Sequence, residues 1–551
     1  MDPEKLDQFF RAKKRSVPFI LLTTPDSRQT TAEITEFLSK QEIKLNGEDS
    51  PVIAVHWDVD QGLHTPPIGE KSPAADKLGA EWLKSLAPPE EDDDQFKAIA
   101  GEDTSPTAAP GEGSIVAALN IIRTAPIQVI VFIHGTDRWL NEEPDARVAI
   151  QAAANLRNPF KASARMLVFC TSQTNYQLPH ELRKDTIPVE EPLPGPKELE
   201  RLFDKHKSIG NEVTNKVTRR KAASFLTGFS TFGAEQALYL SFTSGQGIDL
   251  KELRSLRWSM WDSTPGLSVR HCKYTQDDVA SHAWLKQELL ELMEGDEDEA
   301  PRVIMHVGEI EKAMSNTEHD TTNIKQDALG QWLDDMERNG DEGIVLVGPP
   351  GCSKTFLAET IGPTVDLDTL DFDINGGKAA SGGLSGIAEA SIREALATTR
   401  PLGRRFWIAT CNEAHDLDIA LLRRFTWGII FCDLPDERER KQIWKLQMKA
   451  HGLKGSLKGI DDNLWSGAEI RNCCRKAKRR KKTIAEVAPT INPVAIADPK
   501  RIHNVRKKAH NTYKCSITGK PYVYDKLAQI EKQHQLRAAT VAEGDGRLLA
   551  E

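Results

Sequence analysis

The chain has 551 residues, enough for several domains of roughly 100–200 residues each. Hydrophobic residues make up 39% of the sequence and charged residues 28%, a balance that is typical of globular proteins and excludes wholesale disorder. The formal net charge of −9 gives no global electrostatic case for nucleic-acid binding.

Localisation signals are missing from the sequence pattern. No run of 18 apolar residues occurs, so we expect no membrane-spanning helix and no membrane partner. The first residues, MDPEKLDQFFRAKKRS, lack the apolar stretch of a secretory signal. The 8 cysteines form no CxxC pair, which argues against a zinc site and a disulfide framework. These features predict a cytoplasmic protein with reduced thiols.

The first half, residues 1–195, has the pattern of an α/β domain. Apolar runs alternate with helical patterns, which indicates parallel strands buried on both faces of a sheet. A stretch rich in acidic residues, proline and glycine, about 87–113, predicts a solvated insertion. Residues 196–265 predict a helical lid subdomain, and 266–278 a linker. The predicted strands are residues 19–22, 52–55, 129–133 and 166–169.

The second half repeats this α/β signature. We expect a sheet domain over residues 279–435, followed by a C-terminal helical lid and tail over 436–551. The predicted strands are residues 303–307, 344–347, 370–374, 406–409 and 429–431.

A glycine-rich loop, GPPGCSKT at residues 348–355, follows the apolar run 344–347 and precedes a helical pattern. Strand, loop and helix together are the context of a phosphate-binding loop, whose backbone N–H groups surround a β-phosphate. Lys354 would reach the β- and γ-phosphates, and Thr355 would bind Mg²⁺. Ser353 stands where the usual pattern has glycine. The alternative is a glycine turn followed by a chance Lys-Thr pair.

This loop resembles the Walker A motif of AAA+ ATPases, and four later motifs follow in the family's order. They are FWIATCN at 406–412 like sensor 1, ALLRRF at 420–425 like the arginine-finger segment, DLPDERER at 433–440 like the lid entry, and SGAEI at 466–470 like the lid motif near adenine. The resemblance implies an α/β fold with two P-loop-NTPase-like parallel-sheet domains, each followed by a small α-helical lid. It also implies ATP and Mg²⁺ as cofactors. The implied nucleotide-binding residues are Gly348, Pro349, Pro350, Gly351, Cys352, Ser353, Lys354, Thr355, Phe356, Gly467 and Ala468, with Thr355 as the metal ligand.

Three further residues receive catalytic roles from the same resemblance. Asn412, at the end of the sensor-1 strand, would orient the attacking water. Arg423 and Arg424 would stabilise the γ-phosphate of a neighbouring subunit. The alternatives are a strand-end cap for Asn412, and a surface salt bridge or lid contact for the arginines.

The Walker B strand is missing from its usual place between Walker A and sensor 1. VIMHVGEIEKAM at 303–314, upstream of the loop, resembles it, which predicts a permuted order of Walker B, Walker A and sensor 1. Gly308 stands where the Mg²⁺-linked Asp belongs, and Glu309 where the catalytic Glu belongs. This predicts slow turnover, or another carboxylate in the role of the missing Asp. The alternative is a core strand with a solvated Glu309.

The first half resembles the degenerate N-terminal ATPase-like domain of FtsH-like tandem AAA proteins. The loop at 23–30 has no glycine and no lysine, so we expect it to bind no phosphate and to serve structure or assembly. One nucleotide site per chain follows.

Three functions remain open at this stage. The first is an ATP-hydrolysing ring, six subunits in the family, that remodels an unidentified protein partner. The second is a slow or inactive ATP-binding scaffold, favoured by Gly308 and by Leu384, where unfoldases usually present an aromatic pore-loop residue. The third is a DNA-linked motor or loader that uses the basic run 475–482, whose alternative is a solvated lid-helix face.

Overall fold

A computed structural model of the protein describes residues 3–41, 44–45, 48–49, 51–86, 109–140, 146–173, 176–295, 300–311, 324–373, 385–412 and 423–525. The chain divides into two compact units. The first comprises Met1–Asn211 and Phe229–Leu240, and the second comprises Glu212–Gly228 and Ser241–Glu551. Most of the predicted insertion at 87–113 and the predicted pore-loop residue Leu384 lie outside the described residues.

The α-helices carry labels in chain order. They are α1 Pro3–Lys14, α2 Ser27–Ser39, α3 Ala74–Leu86, α4 Ile115–Ile122, α5 Thr136–Trp139, α6 Ala146–Asn155, α7 Arg157–Ala162, α8 His180–Arg183, α9 Pro196–Lys205, α10 Lys207–Glu212, α11 Lys216–Leu226, α12 Thr231–Ser241, α13 Leu250–Ser263, α14 Ala283–Met293, α15 Ile324–Asn339, α16 Lys354–Val365, α17 Ser385–Thr399, α18 Glu437–His451, α19 Gly467–Arg480, α20 Ile484–Val487, α21 Val494–Ala497 and α22 Pro499–Ala509. Among them, none has both the length and the apolar character needed to cross a bilayer.

The β-strands are labelled in the same way. They are β1 Phe19–Thr23, β2 Lys44–Leu45, β3 Glu48–Asp49, β4 Ile53–Asp58, β5 Gly62–His64, β6 Val129–Ile133, β7 Met166–Thr171, β8 Ile187–Glu190, β9 Phe242–Thr243, β10 Gly247–Ile248, β11 Leu267–Val269, β12 Val303–Val307, β13 Glu342–Val347, β14 Asp368–Phe372, β15 Arg405–Cys411, β16 Ile429–Phe431 and β17 Lys514–Cys515.

Each of the two units contains one large, mostly parallel sheet. The described sheet of the first unit runs β5-β4-β6-β7-β1-β8, and that of the second runs β11-β14-β12-β15-β13-β16-β17. In both sheets the first strand is antiparallel to its neighbour and the remaining pairings are parallel. Helices cover these sheets, so the predicted α/β fold class with two P-loop-like parallel-sheet domains is confirmed.

β12, Val303–Val307, is an interior strand of the second sheet. It pairs in parallel with β15 on one side and with β14 on the other, and β13 lies beyond β15. All five residues of β12 are buried. Val303, Met305 and Val307 pack in one hydrophobic cluster and Ile304 in another, because successive side chains leave opposite faces of a strand. The strand is therefore covered on both faces, as its near-continuous apolar run predicts.

A buried ionic cluster holds the connection between β12 and β13 against β15. Arg405, at the start of β15, has a fully buried side chain. Its Nη2 lies 2.6 Å from Asp335 Oδ2 on α15, and its Nε lies 2.7 Å from Asp341 Oδ2 just before β13. Trp407 Nε1 also donates to Asp341 Oδ2, at 2.8 Å. These bonds hold α15 and the entry to β13 against β15, because an unpaired buried charge would be strongly destabilising.

The predicted helical lid at 196–265 is not a single body, because its helices belong to both units. α9 and residues 231–240 of α12 belong to the first unit, whereas α11 and α13 belong to the second. Within the predicted linker 266–278, β11 forms the antiparallel edge of the second sheet.

The region predicted as a C-terminal lid has its own hydrophobic core. Trp444 of α18 packs with Ile470 and Cys474 of α19 and with Val487 of α20. After α22 the chain returns to the sheet, where β17 pairs with β16. The end of the described chain thus lies beside the strand that precedes the lid.

Candidate nucleotide site

The candidate phosphate loop lies between β13 and α16. Gly348 sits so close to the strand-end backbone of Cys432 that a side chain would collide with the Cys432 carbonyl oxygen. Gly351 has φ +85°, and a Cβ there would lie 2.6 Å from Ser466 Oγ of the lid. Both positions therefore require glycine, in the first case for close approach and in the second also for the left-handed backbone.

Ser353 is the N-cap residue of α16 and takes the left-handed conformation, with φ 59°. Its side chain makes no capping hydrogen bond to the helix. A non-glycine residue in this region costs roughly 1–2 kcal/mol. The loop thus retains the backbone shape for which glycine is usual, although serine occupies the position.

Lys354 is the first residue of α16 and is buried. Its Nζ donates to the carbonyl oxygens of Gly348 and Pro349, each at 2.8 Å, and to Asn412 Oδ1 at 3.0 Å. Burial lowers the pKa of Lys354 from its ordinary value. The ammonium group therefore lies inside the loop, surrounded by oxygen acceptors.

Asn412 connects the loop with two carboxylates that follow β12. Its Nδ2 lies 3.2 Å from Glu311 Oε1 and 3.5 Å from Glu309 Oε1. The Asn412 backbone N–H also donates to Glu311 Oε1, at 3.2 Å. The predicted residues Lys354, Asn412 and Glu309 are thus brought together at the carboxyl ends of three strands. Glu311 is the member of this cluster that the sequence interpretation missed.

The backbone at the end of β12 is unusual. Glu309 has φ 50°, a left-handed conformation that non-glycine residues rarely adopt. Its backbone N–H donates to Thr410 Oγ1 of β15 at 3.3 Å. Strained backbone of this kind concentrates at functional sites. Gly308, just before it, is exposed.

The lid approaches the loop at the N-terminus of α19. Ala468 N–H donates to the carbonyl oxygen of Gly351 at 3.3 Å, and a Cβ on Gly467 would lie 3.2 Å from Ser353 Oγ. Ser466 caps α19 in a capping box with Glu469. On the other side, the Phe356 ring packs edge-on against Tyr274, with centroids 5.6 Å apart. Gly467 and Ala468 therefore lie next to the loop.

A buried histidine also contacts the loop. His282 precedes α14 with φ 66°, and its Nε2 lies 2.9 Å from the carbonyl oxygen of Cys352. Its Nδ1 lies 2.8 Å from Ser516 Oγ, and its backbone N–H donates to Glu439 Oε1 of α18 at 3.0 Å. Burial lowers the pKa of His282 to about 4. This neutral imidazole joins the loop to the lid entry and the C-terminal segment.

The two candidate arginine fingers differ in their surroundings. Arg423 is exposed. Arg424 pairs with Glu337 of α15, with 2.5 Å between Nη2 and Oε2. The intrachain pair of Arg424 matches the salt-bridge alternative, so Arg423 is the better placed of the two to reach another molecule.

The described part of the site offers no closed protein cage for a metal ion. Among the described residues, no group of three His, Cys, Asp or Glu side chains could hold a metal ion. Mg²⁺ in phosphate sites keeps several waters and needs few protein ligands. Thr355, exposed on the first turn of α16, could supply one hydroxyl ligand, and Glu309 and Glu311 could accept hydrogen bonds from bound waters.

The basic run 475–482 lies on the last turns of α19 and just beyond. Cys473, Cys474 and Ala477 are buried in the lid core, whereas Arg475, Lys478 and Arg479 are exposed. Basic side chains near a helix C-terminus also favour its dipole. This arrangement matches the solvated lid-helix alternative.

In the first unit, a carboxylate from the segment after β8 lies beside the loop that follows β1, and that loop contains no lysine. β1 lies between β7 and β8, the same sheet position that β13 has in the second unit. Glu191 Oε2 accepts a hydrogen bond from Thr30 Oγ1 at 2.7 Å, on the first turn of α2. A buried or half-buried carboxylate at this helix start opposes the binding of a phosphate.

No model of a known protein family matches the chain. A curated protein of Plasmodium falciparum (isolate 3D7), named "Putative cell division cycle ATPase", is 26% identical over 247 residues. The match covers 36% of this chain and 19% of the relative, so it spans about a fifth of the relative's length.

Proposed function

We propose that the second unit binds ATP with Mg²⁺ at residues 348–355 and hydrolyses it. The observation that carries the proposal is the bonding of Asn412 to Lys354 on one side and to Glu311 on the other. A polar group that bridges the phosphate-binding lysine and a carboxylate is placed to orient an attacking water.

Each residue of the site has a separate role in this proposal. The loop N–H groups and Lys354 bind the phosphates, and Thr355 holds Mg²⁺, which supplies charge neutralisation when bound. Glu309 polarises the water, and Asn412 orients it. Glu311 keeps Asn412 in place through two hydrogen bonds. Gly467 and Ala468 close the site on the side of the lid, and Phe356 lies on the side of the nucleobase.

The catalytic strand in this proposal precedes the phosphate loop in the chain. β12 lies between β14 and β15 in the sheet, although it comes before β13 in sequence. In the first unit, β6 lies between β4 and β7 and follows β1 in sequence. The same sheet positions are therefore filled in a different chain order, which supports a permuted Walker B strand in a tandem AAA-type protein.

One nucleotide site per chain follows from the contrast between the two units. Lys354 has no lysine counterpart in the loop 23–30, and Glu191 adds negative charge there. We assign the first unit a role in assembly. Subunits would form a ring, six in the AAA+ family, in which Arg423 reaches the neighbouring γ-phosphate. The ring would remodel a protein partner.

A slow ATP-binding switch is the second candidate. Gly308 favours it, because the residue offers no carboxylate to hold the water shell of Mg²⁺. The rate of ATP turnover distinguishes the switch from a remodelling ATPase. An ATP-driven remodelling machine should turn over at a rate near the 1–10³ s⁻¹ that is common for enzymes. A switch binds ATP and releases phosphate far more slowly.

The decisive experiment is nucleotide titration of the full chain by calorimetry, combined with phosphate release. We expect one ATP per chain in the parent and none in Lys354→Ala. Lys454→Ala, an exposed lysine of the lid region, is the matched control and should bind as the parent does. Two nucleotides per chain would contradict the single site, and parental affinity in Lys354→Ala would contradict the proposed function itself.

A further inference from the structure

A buried histidine lies beneath the position of the missing Walker B aspartate. His306 is the fourth residue of β12, and its side chain is 2% exposed. It leaves the same face of the strand as Ile304, which packs in the hydrophobic cluster that contains Leu357 and Ala358 of α16. His306 therefore faces the helix that carries Lys354.

One ring nitrogen of His306 has a firm partner. Nδ1 lies 2.7 Å from Asp371 Oδ1, and β14 places Asp371 directly opposite His306. Arg270 holds the other oxygen of Asp371 through its Nε, at 2.7 Å, and also pairs with Glu359 of α16. Burial opposes ionisation of Asp371, but the hydrogen bonds from His306 and Arg270 outweigh it and lower its pKa below the ordinary value.

This contact determines the role of the second nitrogen. An ionised carboxylate can only accept hydrogen bonds, so Nδ1 carries the proton. In the neutral ring, Nε2 is then an acceptor. His306 Nε2 is buried and has no hydrogen-bond partner among the described residues. A buried acceptor without a partner costs about 1–3 kcal/mol, which calls for an explanation.

A side chain at residue 308 would start next to the edge of this ring. A Cβ on Gly308 would lie 3.5 Å from His306 Cε1, and apart from residues 307–309 no other described atom lies within 4 Å of it. Gly308 itself is exposed. The imidazole thus lies next to Gly308 at the end of β12, close to Glu309 in the chain.

We infer that His306 replaces the absent carboxylate by accepting, through Nε2, a hydrogen bond from a water bound to Mg²⁺. Asp371 orients the ring and keeps the proton on Nδ1, as carboxylates do for histidines at metal sites. His306 is a positioning residue, because it acts on the metal through a water. The inference rests on the proposed function, since it places Mg²⁺ and nucleotide at the phosphate loop.

The first unit supplies a packing control. Phe132 is the fourth residue of β6, the strand at the same sheet position, and it is fully buried. His306→Phe therefore fills the site with a ring that lacks an acceptor. Gly308→Asp in the His306→Phe background puts the carboxylate back where the resemblance expects it.

The test measures the Kd of a fluorescent ADP analogue with Mg²⁺ and with EDTA, for the full chain. We expect Mg²⁺ to tighten binding in the parent. His306→Phe should reduce this Mg²⁺ effect by about 10-fold or more, the usual cost of losing such a partner, and leave the EDTA value unchanged. The double variant should regain the parental Mg²⁺ effect.

Three results would overturn the inference. The first is an unchanged Mg²⁺ effect in His306→Phe. The second is an equal loss of affinity with and without Mg²⁺, which indicates general damage. The third is a double variant that stays at the level of His306→Phe. Failure of the proposed function looks different, because the parent itself would then bind no nucleotide under either condition.

Discussion

Lys354 Nζ lies 3.0 Å from Asn412 Oδ1, so the first residue of α16 is bonded to the residue that follows β15. The two residues are 58 positions apart in the chain. Their contact depends on β13 and β15 being neighbours in the sheet, in a register that pairs Val347 with Cys411. The parallel sheet thus brings a cation and an amide to one edge, where ligands bind in open α/β folds.

Replacement of Asn412 by alanine should slow hydrolysis and preserve binding. The variant loses the group that orients water and leaves Lys354 one acceptor short. Loss of one such positioned group lowers kcat by about 10²-fold. Phosphate release measures kcat, and calorimetry measures the ATP Kd, which should change by less than about threefold. A parental kcat would assign Asn412 to the strand-end cap.

The two glutamates after β12 should behave differently. Glu309→Gln removes the proposed base, so we expect kcat to fall by about 10²–10⁴-fold. Glu311→Gln should cost less, because Glu311 acts through Asn412. In an Asn412→Ala background the Glu311→Gln effect should largely disappear, since the two residues are coupled. Additive effects in this double-mutant cycle would contradict the positioning role of Glu311.

Ser353→Gly should stabilise the second unit. Glycine adopts the left-handed conformation without the penalty that serine incurs, and the serine side chain provides no helix cap that would be lost. The expected gain in the free energy of unfolding is about 1 kcal/mol. Urea denaturation measures it. Ser353→Ala is the control that retains the strain, and an equal gain in that variant would show that the loop is not strained at this position.

The sequence predicts the sheets because their strands are marked locally. β6 is a continuous apolar run, and β12 and β15 are mostly apolar; such runs are typical of strands with both faces buried. The loop at 348–355 is recognisable for the same reason, since its glycines and its lysine are adjacent in the chain. The strand β12 is also recognisable locally, because the motif that marks it is the continuous segment 303–314.

Contacts between distant segments leave no such local signal. Glu311 meets Asn412, and His306 meets Asp371, only because separate strands pair in a particular register. The edge strands β11 and β17 have three and two residues, too few to show an alternating pattern. His282 illustrates the same point, because its partners Cys352 and Ser516 lie 70 and 234 positions away.

The buried His282 predicts a pH dependence of stability. In the folded chain its pKa is about 4, against an ordinary value of 6.5. Between these values the unfolded state binds a proton that the folded state does not, so stability rises with pH. The contribution is complete above about pH 6.5 and is lost as the pH falls towards 4, at a slope of about 1.4 kcal/mol per pH unit.

His282→Asn tests this dependence. Asparagine tolerates the left-handed backbone and does not titrate in this range. The groups around His282 that carry charge, Lys354, Lys286, Asp433 and Glu439, are the same in both proteins. Urea denaturation at pH 5 and pH 7 should show a larger loss of stability on acidification in the parent than in the variant. Equal losses would mean that His282 is protonated in the folded state.

Arg423 should act on the site of a neighbouring subunit. It is exposed, whereas Arg424 is engaged with Glu337 of the same chain. Arginine fingers raise turnover by about 10³–10⁵-fold. Arg423→Ala should therefore keep ATP affinity and lose most of its turnover and its ATP-dependent assembly, as measured by light scattering with ATP and Mg²⁺. Arg424→Ala should have a smaller effect, since exposed ion pairs contribute about 0–1 kcal/mol.

A mixing experiment separates action between chains from action within one chain. Arg423→Ala retains an intact phosphate loop, and Lys354→Ala retains an intact finger. If the finger acts in trans, a mixture of the two inactive proteins contains interfaces in which Arg423 of one chain meets Lys354 of another, and turnover returns. Such head-to-tail contacts close into a ring or extend as a spiral. A mixture that stays inactive, or an Arg423→Ala/Arg424→Ala variant that hydrolyses ATP at the parental rate as a monomer, would show that each chain carries a self-sufficient site.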